Sequence, residues 1–279
     1  MDWLPHSHAT RFRTWLLVSL WCCALTSGTG LRGEEPGAWP LFRGNTAGTG
    51  VATCALPENL EPLWTFHAAD TFFAATAAIS EGVIYIGDAE SRFYALDLET
   101  GKELWSREVE LGFLGSAAVR EGRVVVGDSD GVIHCMDAKT GMLLWEQKTE
   151  AEINSSPNFY KQSVLIGSQN GTLYRLNLVD GKILWEYTIE ASGGIQCAPT
   201  LEGKYTFVCG CDGKLHVIDV ETGSPRETIE IGDPTLSTPA VYGEDVYFGT
   251  EGAKLFSVDW RQKKILWTYQ NPRRKISYR

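Results

Sequence analysis

The chain has 279 residues, of which 43% are hydrophobic, and its formal net charge is −10. The apolar share is sufficient for a core. The acidic balance argues against a nucleic-acid partner, because nucleic-acid binding requires a basic face. Net charge of this size favours solubility and says nothing about the fold.

The first 30 residues have the order of an export signal. Arg11 and Arg13 supply positive charge, Trp15–Thr26 is an apolar run, and small residues follow it. The run is shorter than the roughly 20 residues that a spanning helix needs. We therefore predict a signal peptide over residues 1–30 and an exported mature chain, periplasmic or secreted, without a transmembrane span. A short retained membrane anchor is the alternative.

The stretch Ala95–Trp105, ALDLETGKELW, recurs along the chain at a period near 40 residues. A fixed period of this size is typical of a repeat architecture. Two close copies and two weaker ones follow it: Cys135–Trp145, Arg175–Trp185, Val217–Glu227 and Ser257–Trp267. The chain is therefore expected to be an array of similar units.

The second repeat illustrates the strand pattern within one unit. Ser116–Val119 and Arg123–Gly127 are apolar runs separated by a Glu-Gly turn, and Val132–Asp137 and Leu143–Gln147 follow after further turns with glycine. Four antiparallel strands per 40 residues, with no helical period, describe one blade of a β-propeller. The predicted fold class is all-β, a propeller of four-stranded antiparallel blades.

All five copies have an acid or amide, the first four have a turn with glycine, and four of the five have a tryptophan eight residues after the acid or amide. Trp64 lies in phase with this array. We predict that each tryptophan ring lies between adjacent blades, against the backbone near a neighbour's glycine. These structural docking positions are Ala95, Asp97, Gly101, Trp105, Asp137, Gly141, Trp145, Asn177, Gly181, Trp185, Asp219, Gly223, Asp259, Trp267 and Trp64.

The repeats also set the predicted domain boundaries. The part before them shows neither the strand nor the helix period, and we expect Trp39, Leu41 and Phe42 to anchor it on the propeller. The predicted parts are an irregular N-terminal segment at 31–59, propeller repeats at 60–269 and a tail at 270–279. The repeat region holds five complete repeats, preceded by one outer strand at 60–67.

The repeat Ala95–Trp105 resembles the tryptophan-docking motif of the quinoprotein, or PQQ-like, repeat family, Ala-x-Asp-x-x-Thr-Gly-Lys-x-x-Trp. The other copies match at the acid and the tryptophan, except that Glu227 replaces the tryptophan in the fourth. The segment Trp39–Val51 resembles the W-P-x-F-R-G lead-in of exported bacterial propellers of this family. These are often grouped with the propeller subunit of the outer-membrane protein assembly machinery. The resemblance covers residues 39 to about 269.

Propellers of this family usually have seven or eight blades. After Trp267 the sequence carries no further strand pattern. The resemblance therefore implies a truncated propeller, an open arc with exposed strand edges. A self-contained ring of five blades is the alternative.

The family also contains PQQ-dependent alcohol dehydrogenases, which use calcium, a catalytic aspartate and a disulfide between adjacent cysteines. The adjacent pair here, Cys22–Cys23, lies in the predicted signal, so no catalytic, cofactor or metal residue is assigned. We expect neither PQQ nor calcium. Asp128–Gly131 resembles part of a calcium loop, but position 12 of such a loop would be Lys139 instead of glutamate, which favours a hairpin turn.

The histidines and cysteines show no spacing typical of a metal site or a catalytic triad. His134 and His216 precede Asp137 and Asp219 by the same three residues, which indicates a structural repeat position. Cys209–Gly210–Cys211 is interpreted as one strand with both thiols on one buried face. Trp21 and Cys22 precede Cys23 where a lipidation site needs small residues, so a lipid anchor is not expected.

These observations favour a non-enzymatic exported scaffold that presents blade loops or an open sheet edge to a protein or peptide partner. The resemblance implies outer-membrane assembly components as that partner. The alternative is a PQQ-dependent alcohol dehydrogenase-like quinoprotein, or a fragment of one.

Overall fold

A computed structural model describes residues 37–189 and 194–270. Within this part of the chain the strands form five antiparallel sheets of four strands, each sheet built from consecutive strands. No helix in it is long and apolar enough to cross a membrane. The signal predicted at 1–30 and all but the first residue of the tail at 270–279 lie outside the described residues.

The five sheets are the predicted blades, and they are numbered in chain order. Blade 1 holds β1 (Ala78–Ser80), β2 (Val83–Gly87), β3 (Arg92–Asp97) and β4 (Glu103–Glu108). Blade 2 holds β5 (Ala118–Arg120), β6 (Arg123–Gly127), β7 (Val132–Asp137) and β8 (Leu143–Lys148). Blade 3 holds β9 (Asn158–Tyr160), β10 (Ser163–Gly167), β11 (Thr172–Asn177) and β12 (Ile183–Thr188). Blade 4 holds β13 (Thr200–Glu202), β14 (Tyr205–Cys209), β15 (Lys214–Asp219) and β16 (Pro225–Glu230). Blade 5 holds β17 (Ala240–Tyr242), β18 (Asp245–Gly249), β19 (Lys254–Asp259) and β20 (Lys264–Gln270).

The local sequence explains the strand pattern within a blade. In β6 the side chains of Val124, Val125 and Val126 are all fully buried, because neighbouring blades cover both faces of the strand. Glu121 and Gly122 before β6 both have positive φ angles, which suits the two-residue hairpin turn. The β-branched run and the turn together specify a buried central strand.

The first strand of each blade lies nearest the centre of the array. The strands β1 and β5, β5 and β9, and β13 and β17 lie beside one another across blade boundaries. The fourth strand of each blade has only one hydrogen-bonded neighbour and therefore forms an outer edge.

Residues 39–50, here the axial segment, run along these inner strands. The backbone N–H of Trp39 donates to the Ile79 carbonyl of β1 at 2.8 Å and its carbonyl accepts from Ile79 at 2.9 Å. The other four inner strands donate hydrogen bonds to backbone carbonyls of the segment. The N–H groups of Val119, Leu201 and Val241 donate to the carbonyls of Pro40 (2.8 Å), Thr46 (2.8 Å) and Ala47 (2.9 Å). The side-chain amide of Asn158 donates to the Thr46 carbonyl at 2.8 Å. One segment of chain is thus hydrogen-bonded to all five blades.

The side chains of the axial segment fit this path closely. Leu41 is buried in the core of blades 2 and 3, and the Arg43 guanidinium donates to the Thr238 carbonyl at 2.9 Å. A Cβ on Gly48 would lie 2.8 Å from a methyl of Thr200, so the backbone can approach β13 only as glycine. The irregular sequence at 39–50 therefore reflects turns and close approaches rather than absence of order.

The prediction of an outer strand at residues 60–67 is wrong. These residues are described, and none of them belongs to a strand. A strand requires a hydrogen-bonded neighbour, and this stretch is not paired with any of the five sheets. The tryptophan that suggested a strand, Trp64, nevertheless contacts blade 1, as described below.

Candidate functional site

Four of the five predicted docking tryptophans lie in a repeated geometry, here called the docking slot, whereas Trp267 lies against none of the described glycines. The ring of Trp145 in blade 2 lies against Gly181 in blade 3, where an added Cβ would come within 2.6 Å of the ring. The Nε1 of Trp145 donates a hydrogen bond to the Leu178 carbonyl at 3.0 Å. The φ angle of Gly181 is +71°, which also favours glycine.

The same slot occurs at three further places. Trp64, Trp105 and Trp185 contact Gly101, Gly141 and Gly223, and their Nε1 atoms donate to the carbonyls of Leu98 (3.1 Å), Ala138 (3.0 Å) and Val220 (2.7 Å). Each ring therefore closes the gap between one outer strand, or residues 60–67, and the third-to-fourth-strand turn of the next blade.

The acids of the motif accept hydrogen bonds from residues of these turns. The Asp97 Oδ1 accepts hydrogen bonds from the Thr100 N–H at 2.8 Å and the Thr100 hydroxyl at 2.6 Å, and Asp137 repeats both bonds with Thr140 at 2.8 and 2.7 Å. These bonds, the hydroxyl first, lower the pKa of Asp97 and of Asp137. The remaining members accept from backbone N–H groups: Asn177 from Val179 (2.8 Å), Asp219 from Glu221 (3.0 Å) and Asp259 from Gln262 (2.7 Å). Their role is to hold a turn.

The junction between blades 4 and 5 departs from the pattern in a way the sequence did not reveal. Glu227 stands at the tryptophan position, Lys263 stands at the glycine position, and their side chains form an ion pair. Trp260, one residue after the turn acid, fills the gap from the opposite direction. Its ring is 2% exposed and lies 5.0 Å from the Tyr205 ring and 5.4 Å from the Phe207 ring of blade 4. Three departures from the motif, at Glu227, Lys263 and Trp260, thus act together. The tryptophan at this junction comes from blade 5 and packs on blade 4, whereas at the other junctions it comes from the preceding blade.

In a second repeated contact, a side chain of the third strand bonds to an aspartate in the turn before that strand. In blade 4 the His216 Nε2 lies 2.8 Å from the Asp212 carboxylate, and the His216 Nδ1 lies 3.0 Å from the Tyr187 hydroxyl. In blade 1 the hydroxyl of Tyr94 donates to Asp88 at 3.0 Å. His134 contacts Asp128 in the same manner at 2.7 Å. These pairs recur with the fold and do not converge on one site.

Burial lowers the pKa of His216 below its usual value of 6.5, outweighing the attraction of Asp212. Lys214 acts in the same direction as burial, and Glu230 opposes it. In the unfolded chain the imidazole gains its proton near pH 6.5, whereas the folded chain resists protonation. The contribution of His216 to stability is therefore fully present above pH 6.5 and is lost as the pH falls through the lower folded-state pKa.

We expect the free energy of unfolding to fall less steeply below pH 6.5 in His216→Tyr than in the wild type. The variant copies the Tyr94–Asp88 pair of blade 1 and removes the titrating group. Urea unfolding followed from about pH 7.5 to about pH 5 measures the difference. Identical pH profiles for the two proteins would exclude this role of His216.

Three cysteines, Cys135, Cys197 and Cys209, are buried in the core. Burial raises the pKa of the Cys135 and Cys197 thiols to about 12, so both remain protonated and unreactive. The Cys197 Sγ donates to the Cys209 carbonyl at 3.2 Å, as the Ser237 hydroxyl does to Gly249 at 2.9 Å. The predicted single strand through residues 209–211 ends at Cys209 because Cys211 already lies in the following turn.

The outer strands carry a repeated apolar feature that the sequence reading missed. In each blade the register between the third and fourth strands shifts by one residue, which leaves one bulged residue directly before the docking position. Four of the five bulged residues are leucines, here the rim leucines, and they are 43–52% exposed: Leu104, Leu144, Leu184 and Leu266. The fifth is Arg226. The signal available in the sequence was the leucine that precedes tryptophan in those four copies.

No group of three or more His, Cys, Asp or Glu side chains that could hold a metal ion occurs among the described residues. A calcium ion takes six to eight oxygen ligands, with carboxylates prominent among them. The inner strands, moreover, are hydrogen-bonded to the axial segment. That neither PQQ nor calcium is bound stays a prediction from the sequence.

Comparison with known proteins gives one family and several solved structures of similar fold. The sequence profile described as outer membrane protein assembly factor BamB matches residues 50–269. A comparison with curated protein sequences gives no match.

Solved structures agree with this at the level of fold. BamB from Moraxella catarrhalis has 21% identity and a TM-score of 0.67 over 74% of this chain and 66% of that chain. Quinohemoprotein alcohol dehydrogenase from Comamonas testosteroni has 15% identity and a TM-score of 0.70 over 84% and 49%. A europium-containing methanol dehydrogenase has 14% identity and a TM-score of 0.73 over 85% and 58%. The chain thus spans about two thirds or less of each of these structures.

Proposed function

The chain belongs to the family of PQQ-like repeat propellers typified by the outer membrane protein assembly factor BamB, and on that premise we propose that it is a non-enzymatic scaffold that binds a protein partner. The proposal places the chain in the periplasm or outside the cell, following the signal predicted at residues 1–30. Its partners are components of outer-membrane protein assembly. Neither PQQ nor calcium takes part, and nucleic acid is not a ligand.

The observation that carries the proposal is the row of rim leucines. Each lies at a bulge of an outer edge strand, and Leu104, Leu144 and Leu184 each precede a docking tryptophan that fixes the strand against the next blade. Single exposed leucines are ordinary on protein surfaces. One leucine at the same bulge in blades 1, 2, 3 and 5 is a repeated apolar feature of the rim instead.

The surroundings of these leucines suit protein recognition. On β4, Leu104 follows the charged residue Glu103, and the same strand carries Arg107 and Glu108 further along. Apolar side chains within a charged rim are typical of protein-binding surfaces. The bulge also interrupts the edge, which disfavours addition of a partner strand at that point. The expected contact is therefore insertion of leucine side chains into pockets of the partner.

Substitution of the rim leucines tests the proposal. The triple variant Leu104→Arg, Leu144→Arg, Leu184→Arg should lose cross-linking to outer-membrane assembly components in cells. The fold tolerates arginine at this position, because blade 4 already carries Arg226 there. The matched control, Arg226→Leu, should cross-link as the wild type does. Undiminished capture by a folded triple variant would contradict the proposal.

A quinoprotein dehydrogenase is the second candidate function. It is favoured by the fold likeness to the two dehydrogenases, with TM-scores of 0.70 and 0.73. Likeness at 14–15% identity concerns the fold alone. The adjacent cysteine pair of the chain, Cys22–Cys23, lies in the predicted signal, so we rank this function second.

A further inference from the structure

Two distant segments of the chain carry nearly the same four residues. Leu63–Phe66 reads Leu-Trp-Thr-Phe, and Leu266–Tyr269 reads Leu-Trp-Thr-Tyr. The first segment belongs to residues 60–67, here the cap, and the second to β20, the outer strand of blade 5. The two segments meet very different surroundings.

The cap fills the docking slot of blade 1. The Trp64 ring lies against Gly101, and its Nε1 donates to the Leu98 carbonyl at 3.1 Å. The Phe66 ring lies 5.2 Å from the Tyr94 ring, edge to face. The cap thus presents one tryptophan and one aromatic ring two residues later to the open side of blade 1.

The matching strand of blade 5 leaves the same two rings uncovered. Trp267 is 45% exposed and Tyr269 is 57% exposed. Among residues 37–189 and 194–270 none of the glycines lies against the Trp267 ring. The Trp267 ring lies beside Tyr247 of its own blade, with the ring centroids 6.1 Å apart.

We propose that the outer strand of blade 5 in one copy of the chain fits the docking slot of blade 1 in a second copy, and that the cap prevents this by filling the slot from within the same chain. Trp267 takes the place of Trp64 against Gly101, and Tyr269 takes the place of Phe66 against Tyr94. The contact is head-to-tail, so it propagates into chains of molecules instead of stopping at a pair.

The charges around the docking slot of blade 1 favour blade 5 of a second copy as its occupant. The turn that forms the slot carries two acids, Asp97 and Glu99, against one lysine, Lys102, and the cap places Glu61 three residues before its tryptophan. Blade 5 carries Lys264 at the corresponding position, three residues before Trp267. An acidic turn attracts the lysine of blade 5 and repels the glutamate of the cap.

The cap is held weakly enough to exchange. It pairs with none of the five sheets, and Leu60 and Leu63 are 70% and 86% exposed. Its advantage is that it belongs to the same chain, which gives it a high effective concentration at the slot. The wild type is therefore expected to remain capped and monomeric at micromolar concentrations.

Opening the slot tests the inference on the purified chain. In Trp64→Ala the slot is empty, and sedimentation should show a mean mass that rises with concentration to about twofold or more of the monomer. The double variant Trp64→Ala, Trp267→Ala should stay monomeric. A synthetic peptide of residues 58–68 should return Trp64→Ala to the monomer by refilling the slot.

Two further variants control for damage to the fold. Gly101→Ala also displaces the cap, because its Cβ would collide with the Trp64 ring, but it closes the slot and should stay monomeric. Phe66→Ala keeps the tryptophan and should associate less than Trp64→Ala, with circular dichroism used to verify folding of each variant. A monomeric, folded Trp64→Ala would overturn the inference, as would equal association of Trp64→Ala with and without Trp267.

Discussion

Replacing Trp145 with alanine is expected to lower the free energy of unfolding by about 3–5 kcal/mol. The ring is 8% exposed, it covers Gly181, and its Nε1 donates to the Leu178 carbonyl at 3.0 Å. A ring of this size buries about 150–250 Å². At about 25 cal/mol per Å² the gross contribution is about 4–6 kcal/mol, an upper bound. Urea unfolding measures the change.

The matched control is Trp267→Ala at the same repeat position in blade 5. Its ring is 45% exposed and lies against no described glycine, so the expected loss is below about 1 kcal/mol. Equal losses for the two variants would mean that the contact between blades is not what stabilises Trp145. A loss below about 1 kcal/mol for Trp145→Ala would contradict the docking account itself.

The second large effect is expected at the reversed junction. Trp260→Ala should also cost about 3–5 kcal/mol, because the ring is 2% exposed between blades 4 and 5 and packs on Tyr205 and Phe207. The alanine leaves a cavity at a junction that has no docking tryptophan from blade 4, since Glu227 holds that position.

Glu227→Ala separates the two contacts at this junction. The variant removes the ion pair with Lys263, whose side chain is 56% exposed, and should cost below about 1 kcal/mol. A larger loss for Glu227→Ala than for Trp260→Ala would show that the ion pair, and not the ring, joins blades 4 and 5. Both variants can be compared in the same urea series.

The repeat period was sufficient to predict the five blades. Within one unit the β-branched run of Arg123–Gly127 and the glycine turns mark strands whose bounds the structure reproduces to within two residues. This success has a simple physical basis, because strand alternation and turn chemistry are local properties of the chain.

Features that depend on two distant blades could not be predicted in this way. Glu227, Lys263 and Trp260 each look like drift from the motif when read alone. They make sense together only once blade 4 is placed against blade 5. The strand wrongly predicted at 60–67 is a second error of this kind. The position of Trp64 in the repeat indicates docking, and Trp64 does lie against Gly101, but docking of the ring does not require its backbone to be paired in a sheet.

The axial segment shows a third limit of sequence reading. Trp39, Leu41 and Phe42 were expected to anchor it on the propeller, and of these Leu41 is buried while Trp39 and Phe42 are half-buried. Backbone groups of the segment also attach it, such as the Pro40 and Thr46 carbonyls that accept hydrogen bonds from β5 and β13. Backbone hydrogen bonds of irregular segments leave little trace in side-chain patterns.

The measurement that most directly tests whether this propeller acts by binding or by catalysis is dye reduction by the purified chain supplied with PQQ, calcium and an alcohol. The account predicts no reduction above the rate of the same mixture without protein, and no retention of PQQ by the chain on dialysis. Saturable dye reduction that requires both PQQ and calcium would contradict it and would make the chain a quinoprotein dehydrogenase.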